Sequence, residues 1–190
     1  MGLRWVSNFC KNVDVLIKID DDVFLNVFRV IEQILPEFSG KRRKIGCHLR
    51  PRGTSPIVRG RGRWQVKETE FKDLKHFPFA YCNGYVVFMT SDLIRPLVNA
   101  ARVNPFFWID DVYLFGMLPA TVGNTKFTNY VANLTLHYDV GKSCLEKQGL
   151  GCKYVGVSQW RPDSADTLWY SAIGNMTEGK RKQFSLFPAS

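Results

Sequence analysis

Three consecutive aspartates, Asp20, Asp21 and Asp22, directly follow an apolar run in the sequence. Alternate residues of an extended chain point to the same side, so the carboxylates of Asp20 and Asp22 can converge while Asp21 points away. Two convergent carboxylates suit a hard divalent cation, which typically bridges protein carboxylates and substrate phosphates. The alternative interpretation is a solvated acidic turn that caps the following helix.

A second acidic pair, Asp110 and Asp111, follows the apolar residues 106–109. A carboxylate near an apolar wall has a raised proton affinity and can serve as a general base. The alternative is structural, because the pair can also supply an N-cap and a first-turn acid for a helix that opens over residues 112–118.

The first acidic cluster lies between a predicted strand and a predicted helix. Residues 13–19 are apolar and rich in β-branched side chains, which predicts a mostly buried strand. Residues 27–35 place apolar side chains on one helical face, and Pro36 follows the predicted end of that helix. Open α/β sheets bind ligands at the carboxyl edge of their strands, so this position favours a binding site.

The middle of the chain is predicted to form a basic loop, then a strand, then a helix. Residues 41–63 are rich in Lys, Arg and Gly, which predicts a loop or hairpin that either contacts phosphates or an acidic acceptor, or is simply solvated. Residues 81–89 predict a strand with a glycine turn. Ser91 is the expected N-cap of a helix over 92–101.

The composition indicates one packed domain with a preference for anionic partners. The chain has 190 residues, 45% of them hydrophobic, and a formal net charge of +9; the hydrophobic content excludes a disordered chain, and the charge favours anions. Nucleic acid is not favoured, because Trp64 is the one aromatic residue close to the arginines. No stretch approaches the roughly 20 apolar residues of a membrane span. Residues 175–190 are predicted to be a polar tail.

The cysteines and two sequons bear on the cellular compartment. Five cysteines are compatible with two disulfides and one free thiol, or with no disulfide. Asn133 and Asn175 each begin a glycosylation sequon, which favours a secretory lumen. The three histidines, His48, His76 and His137, are interpreted as structural residues.

Taken in order, six segments resemble the β-1,3-glycosyltransferase family, which includes β-1,3-galactosyltransferases and β-1,3-N-acetylglucosaminyltransferases. The segment LIKIDDDVFLN resembles the family's hallmark strand with its DxD motif, and DDVY resembles its Glu-Asp-Val-Tyr/Phe motif. The matching segments are residues 3–6 with Cys10, 16–26, 63–66, 81–84, 110–113 and 157–169. The resemblance covers about residues 3–169.

The resemblance implies an α/β fold of the GT-A type, a Rossmann-like sheet flanked by helices, here lacking its first strands. The partial GT-A domain is expected over residues 1–174. In such a domain Asp20 and Asp22, with Asp21 between them, would face Mn²⁺ on the diphosphate of a UDP-sugar, and Asp22 would be the direct ligand. Asp111 would be the catalytic base.

The family also implies roles for the remaining site residues. Gly84 would let the backbone approach the sugar closely, and Trp64, with Trp108, would stack against sugar rings. Ser158 stands where the family usually has a histidine that completes the metal shell, and His137 is an alternative ligand. The disulfide pairing is left open by the sequence: Cys10 could pair with Cys82 if the first helix meets the glycine turn, but spacing does not establish it.

The implied function is transfer of a hexose, with galactose expected, from a UDP-hexose donor to a glycan acceptor on protein or lipid. A single displacement would invert the anomeric configuration and form a β-1,3 linkage. The implied location is the luminal face of the Golgi membrane, with the anchor outside this chain. Two alternatives stay open: a non-catalytic remnant that binds a glycan or partner, and a metal-dependent phosphohydrolase.

Overall fold

A computed structural model describes residues 2–159 and 164–174. They form two compact units. The first unit comprises described residues 2–19 and 40–130, and the second comprises described residues 20–39, 131–159 and 164–174. Each unit has its own sheet and its own buried cluster, so each is described by itself.

The strands, in chain order, are β1 (Val15–Ile19), β2 (Val23–Leu25), β3 (Lys44–Arg50), β4 (Tyr81–Thr90), β5 (Lys126–Asn129), β6 (Leu134–Thr135) and β7 (Gly156–Ser158). The α-helices are α1 (Gly2–Phe9), α2 (Val27–Arg29), α3 (Leu35–Phe38), α4 (Ile94–Val103), α5 (Asp110–Val112), α6 (Leu118–Val122), α7 (Tyr138–Gln148) and α8 (Ser164–Ile173). Short 3₁₀ turns occupy Ser91–Leu93, Val131–Asn133 and Gly149–Gly151, and π-helical turns occupy Val30–Ile34 and Tyr113–Met117.

The first unit is built on a mixed sheet with the strand order β1-β4-β3-β5. Strand β4 pairs antiparallel with β1 and β3, while β5 runs parallel to β3. Every residue of β4 from position 84 to 90 is buried, as its apolar sequence predicts for a central strand. Alternate residues such as Ile45 and Cys47 of β3 enter a core that also contains Leu97 and Phe115.

The second unit is smaller. Its sheet has the order β2-β7-β6, with β2 antiparallel and β6 parallel to β7. Helices α7 and α8 pack against one another, and the core contains Phe24, Leu145, Val157 and Leu168. Burying each side chain of this kind fully contributes about 1.5–3 kcal/mol relative to leaving it exposed.

Two helical runs continue through prolines, which corrects the prediction that the first helix ends before Pro36. That run continues to Phe38, with the π-helical turn Val30–Ile34 ahead of the proline. The run from Asp110 to Val122 has the same design, with Tyr113–Met117 ahead of Pro119. Proline has no N–H and clashes with the preceding turn of a regular α-helix, and in both runs the helical geometry changes to a π turn just ahead of the proline.

The predictions for the middle of the chain were partly wrong. Part of the expected basic loop is strand β3, because its alternate residues are buried in the core. Ser91 is not an N-cap: the chain enters α4 through a 3₁₀ turn, and the residue before that turn, Thr90, is extended. The Thr90 hydroxyl instead accepts a hydrogen bond from Lys44 N at 3.1 Å, which ties the ends of β3 and β4 together. The strand predicted over 81–89 is confirmed.

Two disulfides are present, and the Cys10–Cys82 pairing that the sequence left open is not one of them. Cys47 bonds to Cys82 and Cys144 bonds to Cys152, which leaves Cys10 as the free thiol among the described residues. The first bond joins adjacent strands β3 and β4, so Cys82 is not available to Cys10. In the chain-entropy model, a disulfide that closes a loop of 35 residues stabilises the fold by about 4 kcal/mol, and one that closes a loop of 8 residues stabilises it by about 2.5 kcal/mol.

The mixed α/β architecture confirms the predicted GT-A-type fold class. Within the described residues, no helix is both long and apolar enough to cross a bilayer. The predicted polar tail over 175–190 lies outside the described residues.

Candidate functional site

Strand β4 is irregular at the position of the glycine turn. Cys47 of β3 pairs with Val87, but the next residue, His48, pairs with Asn83. Residues 84–86 of β4 therefore have no opposite residues on β3. Such bulges redirect the side chains and backbone around them and are common beside active sites.

The carboxylate of Asp111 occupies the space that a side chain at Gly84 would need. A Cβ at Gly84 would overlap Oδ1 of Asp111 and would lie 2.9 Å from its Cγ. Real Cβ atoms do not approach other atoms so closely, so only glycine fits this position while Asp111 keeps its place. The structure thus brings together two residues that lie 27 positions apart in the sequence.

The two adjacent aspartates face different surroundings. Asp111 is half-buried and packs on Gly84, whereas Asp110 is exposed. Asp110 lies on the rim of an apolar groove of about 520 Å³ between α1, α4 and the helical run that begins at residue 110. Both acids lie in the first turn of that run, where the helix dipole favours negative charge. Ile109, rather than an aspartate, is the N-cap residue.

Lys18 of β1 adds a positive charge beside Gly84. Its ammonium donates a hydrogen bond to the Gly84 carbonyl at 2.5 Å, and its Nζ lies 3.4 Å from the point where a Cβ at Gly84 would begin. Lys18 and Asp111 therefore reach the same glycine, one at its carbonyl and one at its Cα. Sequence reasoning missed Lys18, because a lysine in a predicted strand gives no signal of its own.

A polar network occupies the neighbouring positions of β3 and β4. Arg50 Nε donates to Asn83 Oδ1 at 3.2 Å, which turns the Asn83 amide NH₂ towards His48 Nδ1 at 3.4 Å. The Tyr85 hydroxyl lies 3.1 Å from the same nitrogen. Arg50 can only donate, so Asn83 Oδ1 accepts and the Asn83 NH₂ group donates. His48 Nδ1 is therefore an acceptor, and the proton of the neutral ring lies on Nε2.

Burial sets the charge state of this network. Desolvation, assisted by the positive charge of Arg50, lowers the pKa of His48 below its ordinary value. Desolvation raises the pKa of Tyr85 to about 12, and Arg50 offsets only part of that rise. Both groups are therefore neutral near pH 7.

Trp64 and Trp108 form an exposed aromatic pair in the first unit. Their ring centroids are 5.9 Å apart and the planes differ by 16°, so the rings are stacked. Each keeps a large exposed fraction, 48% for Trp64 and 41% for Trp108, which is unusual for indoles that serve only as core. The Arg63 guanidinium lies 4.9 Å from the Trp64 ring centroid and adds a cation–π contact.

The basic segment that carries Trp64 is held by one arginine. The Arg59 guanidinium donates to the carbonyls of Lys67, Glu70 and Phe71 at 2.6, 2.9 and 2.8 Å. This cation therefore binds the protein's own backbone. The arrangement fixes the loop and favours a defined position for Trp64.

Asp20, Asp21 and Asp22 belong to the second unit and form the turn before β2. Asp20 is half-buried, while Asp21 and Asp22 are exposed. The backbone holds the turn: Val23 N donates to Asp20 O at 3.3 Å, and Gln159 N donates to Asp22 O at 2.6 Å. The acidic turn is therefore anchored to the end of β7.

The end of β7 is the segment in which the sequence departs from the family pattern. Ser158 is buried and pairs directly with Val23, one residue after Asp22. The structure thus places Ser158 beside the acidic turn. His137, the alternative ligand, is exposed just before α7.

The donor set of the acidic turn suits a hard cation whose remaining ligands come from substrate and water. Among the described residues, no group of three or more His, Cys, Asp or Glu side chains could hold a metal ion. One or two carboxylates together with substrate phosphates are, however, the usual ligands of Mg²⁺-like cations in proteins. Carboxylate oxygens fit Mn²⁺ equally well.

Asn26 is a further residue that sequence reasoning did not single out. It is almost fully buried at the N-terminus of α2, where its Oδ1 accepts a hydrogen bond from Arg29 N at 3.3 Å. Arg29 in turn donates to the carbonyls of Cys152 and Gly151 at 2.9 and 2.6 Å. The Asn26 side chain, rather than Asp20–Asp22, caps the helix, and the Arg29 guanidinium ties the helix to residues 151 and 152. The alternative that the acidic cluster exists to cap this helix therefore loses its main support.

The glycosylation sequon that begins at Asn133 lies within the second unit. Asn133 is half-buried and its side-chain amide donates to Lys153 O at 3.2 Å, while Thr135 of the same sequon is buried in β6. This tripeptide is therefore integrated into the fold. The sequon at Asn175 lies outside the described residues.

Comparisons with known proteins consistently find similarity to galactosyltransferases. A family model described as Galactosyltransferase matches residues 1–127. β-1,3-Galactosyltransferase 1 of Mus musculus is 25% identical over 172 residues, which is 89% of this chain and 48% of that protein, and the Homo sapiens protein gives the same values. β-1,3-Galactosyltransferase 5 of Mus musculus is 30% identical over 114 residues, 60% of this chain and 36% of that protein. The chain spans about half the length of the curated relatives it matches.

Proposed function

The chain belongs to the galactosyltransferase family, and from this premise we propose that it transfers galactose from UDP-galactose to a hydroxyl of a glycan acceptor. The observation that carries the proposal is the placement of Asp111 on Gly84. A half-buried carboxylate with a fixed position, in the first turn of a helix, is suited to accept a proton from an incoming hydroxyl.

In the proposed reaction Asp111 is the catalytic base. It takes the proton of the acceptor hydroxyl as the hydroxyl oxygen attacks the anomeric carbon, and the bond from that carbon to the UDP oxygen breaks. One displacement inverts the anomeric configuration, so an α-linked donor gives a β-linked product. A β-1,3 linkage is proposed from the activity named for the similar proteins.

Asp20 and Asp22 are proposed to hold the divalent cation, with Asp21 beside them. When bound, such a cation neutralises negative charge on the diphosphate that leaves. Asp22 is the proposed direct ligand, since it is exposed and its carbonyl is fixed by Gln159. The buried hydroxyl of Ser158 replaces the family's usual imidazole, which predicts a metal site that relies on oxygen ligands.

Trp64 and Trp108 are proposed to contact sugar rings. Trp108 lies three residues before Asp111, so their Cα atoms are at most about 11 Å apart. Protein- or lipid-linked glycans in the Golgi lumen are the proposed acceptors, in keeping with the two disulfides.

A direct transfer assay tests this function. The chain is incubated with UDP-galactose, Mn²⁺ and glycans that end in galactose or N-acetylglucosamine, and the product linkage is determined by NMR. We expect a β-1,3-linked galactose and stoichiometric release of UDP. Binding of UDP and Mn²⁺ without transfer would favour the non-catalytic alternative, and phosphate release from a generic ester without sugar transfer would favour a phosphohydrolase.

A further inference from the structure

We propose that Gly84 and Lys18 are positioning residues that together form a seat for the Asp111 carboxylate. This inference rests on the proposed function for its catalytic meaning, but its structural content can be tested without any reaction. It also assigns Gly84 a role different from the one expected from sequence, which was close approach of the backbone to a sugar.

The steric part of the seat arises because Gly84 has no side chain. Asp111 Oδ1 lies inside the volume that a Cβ at Gly84 would fill, and Asp111 Cγ is 2.9 Å from that Cβ position. The same glycine lies in the bulge where β4 loses its pairing with β3. The bulge and the missing side chain therefore let α5 bring its carboxylate onto the strand.

The electrostatic part of the seat comes from Lys18. Its register places it opposite Val87 on the neighbouring strand, and its long side chain reaches back to the Gly84 carbonyl. The hydrogen bond to that carbonyl holds the bulged backbone in place. It also holds the ammonium beside the Asp111 carboxylate, because both groups lie against the same face of Gly84.

The disulfide Cys47–Cys82 braces the same segment. Cys82 is two residues before Gly84 on β4, and its partner lies on β3 at the other side of the break in pairing. The backbone of the seat is thus fixed on one side by a covalent bond and on the other by Lys18. A carboxylate held in this way loses little freedom when the acceptor binds.

The first test is a double-mutant cycle on thermal stability. Gly84→Ala alone should lower the Tm by roughly 3–10 °C, because the new methyl group collides with Asp111. In the Asp111→Ala background the obstructing carboxylate is gone, so Gly84→Ala should lower the Tm by less than about 2 °C. Equal destabilisation in both backgrounds would overturn the steric inference.

A matched glycine controls for the effect of substitution itself. Gly141 is also buried, and a Cβ there would lie 2.7 Å from Val157 Cγ2, with no contact to Asp111 among its three nearest atoms. Gly141→Ala should therefore be destabilising to the same extent with Asp111 or Ala at position 111. Coupling of Gly141→Ala to position 111 would show that the cycle reports general instability and not the seat.

The second test separates positioning from binding by kinetics. Gly84→Ala should lower kcat by about tenfold to a hundredfold per folded molecule while the KM for UDP-galactose stays within about twofold, since a misplaced base slows chemistry without weakening donor binding. Lys18→Met should lower kcat by about tenfold, and Lys18→Arg should restore part of the loss. A rise in KM with unchanged kcat in both variants would contradict a positioning role.

The two proposals fail in different ways. If the stability cycle shows coupling but Asp111→Asn keeps full transfer activity, the seat is real and the assignment of the base is wrong. If Asp111→Asn abolishes transfer but the cycle shows no coupling, the base stands and the seat is rejected.

Discussion

The two acidic sites of this chain are built in opposite ways. Asp111 is half-buried against a glycine in a bulged central strand, and the Lys18 ammonium binds the carbonyl of the same glycine. Asp21 and Asp22 are exposed, and what is fixed there is the backbone of the turn. The difference matches the chemistry proposed for each: a base must be held within hydrogen-bond reach of the proton it takes, whereas a Mg²⁺-like cation needs one or two carboxylates that stay open to substrate phosphates and water.

The largest expected effect at the exposed site is on donor binding. Asp22→Asn should abolish the rise in Tm that UDP and Mn²⁺ together produce, because one carboxylate of the proposed metal site becomes a neutral amide. Thermal-unfolding scans with each ligand alone and with both would measure this. Asp21→Asn is the matched control and should keep most of the shift, and loss of the shift in both variants would contradict the division of roles within the cluster.

The two disulfides should differ in a measurable way. Replacing Cys47 and Cys82 by alanine should cost about 4 kcal/mol, against about 2.5 kcal/mol for Cys144 and Cys152, since the first bond closes the longer loop. Urea unfolding of the two double variants would test the order. The first pair braces the proposed seat, so its loss should also lower transfer activity at temperatures where the variant remains folded.

The tryptophan pair should affect acceptor binding more than stability. Trp64→Ala should raise the acceptor KM several-fold, because truncation removes one exposed indole and frees its stacked partner. Kinetics with varied acceptor at saturating UDP-galactose would measure this. Trp5→Ala, another exposed tryptophan that lies on α1, is the control. An unchanged acceptor KM after both Trp64→Ala and Trp108→Ala would remove the pair from the proposed acceptor site.

The smallest expected effect is a pH dependence of stability from His48. Its pKa is lowered in the folded protein, so folding favours the neutral ring. The stability it contributes is therefore complete above the unfolded pKa near 6.5 and is lost as the pH falls through the lower folded pKa. At this half-buried site the change should stay below about 1 kcal/mol. Urea unfolding between pH 7 and 5 should show a flatter slope for His48→Gln than for the wild type, and an identical slope would reject the assignment.

Two features could be predicted from the sequence: the strands that carry the motifs, and the family. Each depends on short local patterns of residues. The run before Asp20 and the apolar run over 81–89 could be recognised from side-chain type alone. The structural alternative at the second acidic pair, a helix over residues 112–118, was right in kind, but the helical run begins two residues earlier, at Asp110.

The contacts that make a site could not be predicted in the same way. Asp111 can occupy the space at Gly84 because β4 bulges there. The bulge depends on the register between β3 and β4, whose bonded cysteines are 35 residues apart in the sequence. The disulfide pairing could not be decided for the same reason, since cysteine spacing contains no information about which strands are neighbours. The π turns ahead of Pro36 and Pro119 show that a proline marks a change of helical geometry and not always an end.

The most direct test of the central claim compares Asp111→Asn with Asp110→Asn in the galactose-transfer assay. The two aspartates are adjacent in the same helical turn, but one packs on Gly84 and the other is exposed at the groove. We predict that Asp111→Asn lowers kcat by at least about a hundredfold with donor binding retained, and that Asp110→Asn changes kcat by less than about threefold. Equal loss in both variants, or full activity of Asp111→Asn, would contradict the assignment of Asp111 as the base.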